Sequence, residues 1–273
     1  MSPDLAFVLT LALRMAITAA FVVMASIITE RAGPAIGALI ATLPVSGGPS
    51  YIFLAIDHGG DFIASSALTS LPINAATILM SLVYVIVAQR FSMIASLCAA
   101  IGTWLICALL VRTTGWSLAG GILANVVALA VSLPLAQRFR GAKMPLITRR
   151  WYDIPLRAAL VATLVATVVT LSGHVGPAIS GILALFPVVY TSFILILHPR
   201  IGGAATGAVL ANGLWGLIGF GAAVVVLHLA PPRFGGAAAL SLALATCVAW
   251  NLGLWSFGRY RLRKAALSSS SRP

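Results

Sequence analysis

The chain has almost no negative charge. Only five of its 273 residues are Asp or Glu, while 17 are Lys or Arg, for a net charge of +12. Charged residues make up 8% of the sequence, where an ordinary soluble domain carries about 25%. So few charges cannot cover a water-soluble surface, which excludes a soluble globular enzyme. Intrinsic disorder is excluded as well, because 60% of the residues are hydrophobic and the mean hydropathy is +1.07. Cysteine is scarce: Cys98, Cys107 and Cys247 lie in apolar runs, are odd in number and lack metal-ligand spacing. Neither a disulfide framework nor a metal site is expected from them. No GxxxxGK[ST], HExxH or GxSxG pattern occurs, and no cofactor is expected.

What is present is a series of long apolar runs. A spanning helix needs about 20 mostly apolar residues. Nine candidate spans satisfy this, at 5–28, 33–56, 62–88, 91–111, 116–136, 154–173, 176–197, 203–229 and 235–258. Gly and Pro punctuate the joins at Gly33-Pro34, Gly59-Gly60, Gly176-Pro177, Pro199 and Pro231-Pro232. Period-2 alternation is absent, which argues against a β-barrel. The expected fold class is an all-α polytopic membrane protein whose main partner is the lipid bilayer.

The placement of the charges predicts orientation. Five basic residues cluster at Arg138, Arg140, Lys143, Arg149 and Arg150, and five more at Arg259, Arg261, Arg263, Lys264 and Arg272. With the first cluster in the cytoplasm, counting spans puts the second there too, together with Arg31, Arg90 and Arg200. Asp4, Asp57 and Asp61 then fall outside, against Arg112 and Arg233 as exceptions. The N-terminus is expected outside and the C-terminus inside. Met1-Ser-Pro-Asp4 has no basic n-region, so the first span is expected to be retained. No segment is long enough to form a basic soluble domain, so nucleic acid is not an expected partner.

An internal repeat is the strongest signal. Residues 13–45 align without a gap on 156–188, an offset of 143, with 12 of 33 pairs identical. Apolar composition alone supplies chance matches at Ala, Leu and Val. It does not readily supply Arg14/Arg157, Gly33-Pro34/Gly176-Pro177 and Pro44/Pro187 in one frame. Asn74 and Asn212 are expected at comparable positions of the third and eighth spans. Each repeat then has four spans, and the fifth span is an extra crossing that inverts the second copy. The expected organisation is a first repeat at 1–112, a linking helix and basic loop at 113–150, a second repeat at 151–260, and a basic tail at 261–273.

Two features point to a substrate path. Pro44 and Pro187 fall within the second helix of each copy, where Pro removes a donor and frees carbonyls. In copy one the run Pro44-Val-Ser46-Gly47-Gly48-Pro49-Ser50-Tyr51 should break the helix at membrane depth; copy two offers Tyr190, Thr191 and Ser192 instead. Interrupted helices at matching positions of two halves mark binding sites in transporters, whereas the bland alternative is a pair of packed Pro kinks. Arg14 and Arg157 are the second feature, being charges inside spans. No acidic residue lies inside a span, so an inward-facing arginine lacks an obvious carboxylate and could meet an anionic solute. Snorkelling is the alternative, most plausibly for Arg157 beside Asp153. Asp57, His58, Asp61 and His174 match no metal motif, and Asp61 reads as a helix cap. His228 and the six Trp read as interfacial or packing residues.

The stretch Ile179-Ser-Gly-Ile-Leu-Ala-Leu-Phe-Pro-Val-Val-Tyr-Thr-Ser-Phe193 resembles the small bacterial inner-membrane family GlpM. The resemblance covers 181–220 and, more weakly, 38–80, where Leu43-Pro44 and the inserted Gly47-Gly48-Pro49 depart from the family pattern. It implies a duplicated relative in a bacterial inner membrane and carries over no functional residue.

The expected function is a secondary transporter or exporter of a small, conceivably anionic, solute by alternating access, without enzymatic activity. A membrane-embedded enzyme acting on a lipid or isoprenoid, with 57–61 and His174 as its only candidate groups, is the first alternative. A non-catalytic assembly subunit is the second, and self-association into a homo-oligomer is left open.

Overall fold

The computed structural model describes residues 3–31, 47–142 and 150–270. Among these residues every regular element is a helix, and the helices are α1 (Pro3–Arg31), α2 (Gly47–Asp57), α3 (Gly60–Val87), α4 (Met93–Thr113), α5 (Leu118–Gln137), α6 (Asp153–Ala184), α7 (Val188–Leu229) and α8 (Pro231–Ser270). Six stretches are long and apolar enough to cross a bilayer: Val8–Ala25, Gly60–Val87, Met93–Thr113, Leu118–Gln137, Asp153–Leu229 and Pro231–Tyr260. The protein is built as a membrane-embedded helical bundle.

Asp153–Leu229 is 77 residues long, and at about 1.5 Å per residue it would reach well beyond 100 Å if straight. Three interruptions fold it. Gly176 (φ 72°, ψ 177°) and Gly202 (φ 79°, ψ 167°) adopt left-handed conformations that only glycine takes without strain. Between them the chain leaves the helix at 185–187, where Val188 N–H donates to the Phe186 carbonyl at 2.7 Å. The segments are thus 153–175, 177–184, 188–201 and 203–229. Gly235 (φ 78°, ψ 167°) likewise separates the first turn of α8 from the rest. The helix expected over 176–197 is therefore interrupted and extends to 201. The tail expected at 261–273 continues α8 as helix through Ser270.

α3 is the central element and packs against α4, α5, α6, α7 and α8. Its Ile63, Leu71, Ile73, Ile78, Met80 and Tyr84 are fully buried, in keeping with its position among the other helices. The outer helices show the reverse. Val8, Leu9 and Leu13 on α1, Ile106, Leu109 and Leu110 on α4, and Leu123, Val126 and Val127 on α5 are exposed. A soluble protein does not tolerate so much continuous apolar surface, whereas lipid accepts it. Ser92 and Ser117 cap α4 and α5 by accepting from Ala95 N–H and Gly120 N–H.

Candidate functional site

The middle of the bundle is where an interrupted helix, the start of α2 and buried amides converge. α2 begins at Gly47, and Pro49 sits in its first turn, where the missing N–H is not needed. Gly47 is packed against the interruption at 185–187: a Cβ placed there would lie 3.7 Å from the Ala184 carbonyl oxygen and 3.8 Å from Leu185. The start of α2 and the end of the 177–184 segment therefore meet. Phe220 of α7 closes the same contact at 3.7 Å.

One turn further along each helix, Tyr51 and Ser70 are hydrogen-bonded at 2.6 Å, and Ser70 donates to the Gly181 carbonyl at 2.7 Å. Ser70 has one proton and spends it on Gly181, so Tyr51 is the donor to Ser70. The three groups tie α2, α3 and α6 together beside the interruption.

Asn74 lies one turn beyond Ser70. Its Nδ2 donates to Asn125 Oδ1 at 2.8 Å and to the Leu217 carbonyl at 3.0 Å. Asn125 in turn donates to the carbonyls of Leu71 and Gly121, at 2.7 and 2.8 Å. Those donations fix both amide orientations. Asn74 Oδ1 is enclosed and accepts no hydrogen bond, as does no partner reach Ser66 Oγ. Gly221 leaves the room for this arrangement, since a Cβ there would come within 3.1 Å of Asn74 Nδ2.

The remaining expected site residues are dispersed. Arg14 does have a carboxylate partner, contrary to the sequence expectation. It forms a bidentate pair with Asp57 at the end of α2, Nη2 to Oδ1 being 2.6 Å, and its guanidinium lies 5.4 Å from the Phe53 ring centre. The carboxylate was missed because Asp57 ends a helix whose last turn reaches the depth of Arg14. Arg157 lies over Phe193 at 4.7 Å. Asn212 has different partners from Asn74: it accepts from Arg140 Nε at 2.8 Å and donates to its own helix at Ala208. Pro187 occupies the interruption, and the Tyr190 hydroxyl lies against Gly213. Thr191 bonds back to the Pro187 carbonyl and Ser192 to that of Val189. Gly48 faces open space, and Ser50 is buried. Pro44 and Ser46 lie outside the described residues.

At the far end of α3 from Gly60, Tyr84 bonds to His198 Nδ1 at 2.6 Å. Nearby, Arg200 forms a bidentate pair with Asp153, Nη1 to Oδ2 being 2.8 Å, and Arg150 N–H caps the same carboxylate at 2.9 Å. Tyr152 lies beside Arg200 and Arg150, and these two cations lower its phenol below the ordinary value. His58 stacks on Phe62 at 3.8 Å and meets Ser172 Oγ at 3.1 Å. Ser172 spends its proton on the Val169 carbonyl, so His58 Nε2 carries the hydrogen. Ser66, Ser70, Asn125, Gly181 and His198 were not singled out by sequence. The polar period along α3 and the lone Asn of α5 were the available signals.

No protein-family model matches the chain, and neither a curated protein nor a solved structure is similar to it.

Proposed function

We propose that the protein is a secondary transporter of a small solute, working by alternating access between two inverted repeats in a bacterial inner membrane. The observation that carries the reading is the meeting of the start of α2, at Gly47, with the helix interruption at 185–187, beside buried amides in the middle of the bundle. Irregular backbone at membrane depth is tolerated only where protein or a wet cavity satisfies it, and transporters place substrate there.

The repeat is supported well beyond residues 13–45. At the same offset of 143, Gly59-Gly60 falls on Gly202-Gly203 and Arg90-Phe91 on Arg233-Phe234. Gly60 opens α3 as Gly203 opens the 203–229 segment, and Ser92 precedes α4 as Gly235 precedes the long part of α8. Asn74 and Leu217 stand 143 apart and are hydrogen-bonded to each other. Contact between equivalent positions is expected on a two-fold axis. With the span expected at 33–56 and the interrupted segment 177–201 each counted as one crossing, the total is nine, α5 is the odd crossing, and the N-terminus lies outside and the C-terminus inside.

Charge placement supports the inversion. Arg14–Asp57 ties α1 to the end of α2, and Asp153–Arg200 ties α6 to the end of the 188–201 segment. Positions 57 and 200 are equivalent and opposite in sign, as opposite sides of the membrane require. Asp57 already neutralises Arg14, so nothing in this pair is left to hold an anionic solute.

Purified protein in liposomes should raise solute flux above that of empty vesicles, and Gly47→Leu, which overfills the contact with Ala184, Leu185 and Phe220, should abolish it, while Gly47→Ala, whose methyl fits at ordinary contact distance, should fold normally. Absence of flux and of ligand-induced stabilisation across a broad solute panel would refute the reading.

A further inference from the structure

Besides its apolar residues, α3 carries a polar row. Ser66, Ser70, Asn74, Thr77, Ser81 and Tyr84 recur at intervals of four, four, three, four and three residues. On a 3.6-residue helix that spacing confines all six to an arc of about 80°. All six are buried, none more than 7% exposed. The row runs about 27 Å along the axis, close to the hydrocarbon thickness of a bilayer.

Its recorded partners are uncharged at neutral pH or aromatic: Tyr51 and the Gly181 carbonyl at Ser70, Asn125 and the Leu217 carbonyl at Asn74, Trp104 Nε1 at Thr77, and His198 at Tyr84. The arginines of the neighbouring helices that pair with carboxylates, Arg14 and Arg200, are matched by Asp57 and Asp153. No lysine, arginine or carboxylate contacts the row among these bonds.

Part of the row satisfies itself. Thr77 and Ser81 donate to the carbonyls one turn back, at 3.1 and 2.8 Å, as hydroxyls in apolar helices commonly do. Two members do not. Asn74 Oδ1 and Ser66 Oγ are enclosed and have no hydrogen-bond partner, although a buried polar group left unmet is costly. Because Nδ2 makes both of its bonds, the vacant function of Asn74 is acceptance, and its complement is an O–H or N–H donor.

We propose that the α3 row is the translocation path and that its cargo is an uncharged solute rich in hydrogen-bond donors, a polyol or small amide. This rests on the transporter reading and names the substrate class of that site. An anion would meet an acceptor oxygen at Asn74 with no cation beside it. An inorganic cation needs several converging oxygens, and the two open ones, Asn74 Oδ1 and Ser66 Oγ, belong to residues about 12 Å apart along the axis. A neutral donor exchanges its water hydrogen bonds for those of the row without carrying an unpaired charge into low dielectric.

The test uses the full chain in liposomes. Shrinkage and reswelling in erythritol and xylitol are followed by stopped-flow light scattering, and lactate and sodium uptake by isotope. Erythritol permeability should rise above that of protein-free vesicles. Removing the single acceptor in Asn74→Leu should cut the protein-dependent part about tenfold. Ser66→Ala gives up no recorded bond, folds normally, and should also slow erythritol. Lactate or sodium flux without polyol flux overturns the substrate class while keeping a transporter. Accelerated water flux alone, or polyol flux unchanged in both variants, overturns the path. No flux of any probe overturns the transporter reading and this proposal with it.

Discussion

Gly181 fixes how closely α6 approaches α3, and the cost of widening that approach can be worked out. A methyl placed on Gly181 would fall 2.9 Å from the Ser66 carbonyl carbon and 3.1 Å from Ser66 Cα, with the carbonyl oxygen nearer still. Carbon atoms in comfortable contact stand about 3.5–4.0 Å apart. All the obstructing atoms are backbone, so no rotamer change relieves the clash and the two helices must separate. Such overpacking costs about 1–3 kcal/mol. Separation also stretches the 2.7 Å bond from Ser70 to the Gly181 carbonyl, a further loss of about 1 kcal/mol. Helix propensity returns about 1 kcal/mol when Gly becomes Ala, which leaves Gly181→Ala destabilised by about 1–3 kcal/mol. Gly173 is the internal control, because nothing lies within 4 Å of a Cβ there. Gly173→Ala should be neutral or stabilising by up to about 1 kcal/mol. Thermal unfolding of both variants in one detergent should therefore give transitions on opposite sides of wild type, or at wild type for Gly173→Ala. A Gly181→Ala transition at or above wild type, or an equal fall in both variants, would show that the two helices do not meet as described.

Three further outcomes follow from the charged groups. The side chains of Arg14 and Asp57 are 15% and 27% exposed, between the buried and surface limits for ion pairs, so Asp57→Asn should destabilise by about 1–3 kcal/mol; the exchange Arg14→Asp with Asp57→Arg should recover most of it in a thermal-unfolding double-mutant cycle. Tyr152 should be the first phenol to ionise in a 295 nm alkaline titration, and Tyr152→Phe should remove that early phase. Its depressed value means that its contribution to stability exists only under alkaline conditions and is lost as pH falls through the folded-state value, so stability at neutral pH should not change with Tyr152→Phe. In a variant with Cys98, Cys107 and Cys247 replaced by Ala, cysteines placed at Asp61 or Gly115 should react with an impermeant maleimide from outside intact cells, and cysteines at Arg90 or Gly141 only after lysis; the reverse pattern would overturn the orientation.

Composition makes the helical membrane class legible, because a surface with 8% charged residues has no other stable solvent. Six long apolar stretches were legible for the same reason, since length and apolarity define them. The interruption at 185–187 was less visible in sequence than the break expected at 44–51, of which 47–51 is instead continuous helix in α2, since one Pro without glycines reads as a kink. What breaks it is Pro187 together with the tight Phe186–Val188 turn, a backbone feature that composition does not announce. The partners of buried groups were invisible for a different reason. Asp57 meets Arg14 across 43 positions, and Asn74 meets Asn125 across 51. Such pairings depend on how helices are rotated about their axes and against which neighbours, which mean hydropathy leaves undetermined. On the repeat reading Asn212 is no counterpart to Asn74, because its 138-residue separation departs from the offset of 143. That departure moves it more than a turn along its helix, toward Arg140.

The two arginines matched by sequence show why identity within a repeat is a poor guide to role. Arg14 and Arg157 align, yet Arg14 pairs with a carboxylate in the bidentate manner and Arg157 lies over Phe193. On the inverted-repeat reading the constraint acts on the pair instead of on the residue. Position 57 faces the outer side, where the positive-inside bias disfavours Arg, and position 200 faces the cytoplasm, where Arg is favoured. A tie between the first helix and the end of the interrupted one can then survive in both halves only if the first helix supplies the opposite sign. Copy one supplies Arg14 and copy two supplies Asp153, four residues before the aligned Arg157 and so one turn away on the same face. The tie is kept, its polarity is exchanged, and the aligned arginine is released to an aromatic contact. Exchanging Asp153 and Arg200 should therefore preserve folding in detergent, where no membrane sides exist, while disturbing insertion in cells by moving an arginine off the cytoplasmic end of the 188–201 segment. Equal loss in both settings would refute the sidedness argument and leave only a packing role for the pair.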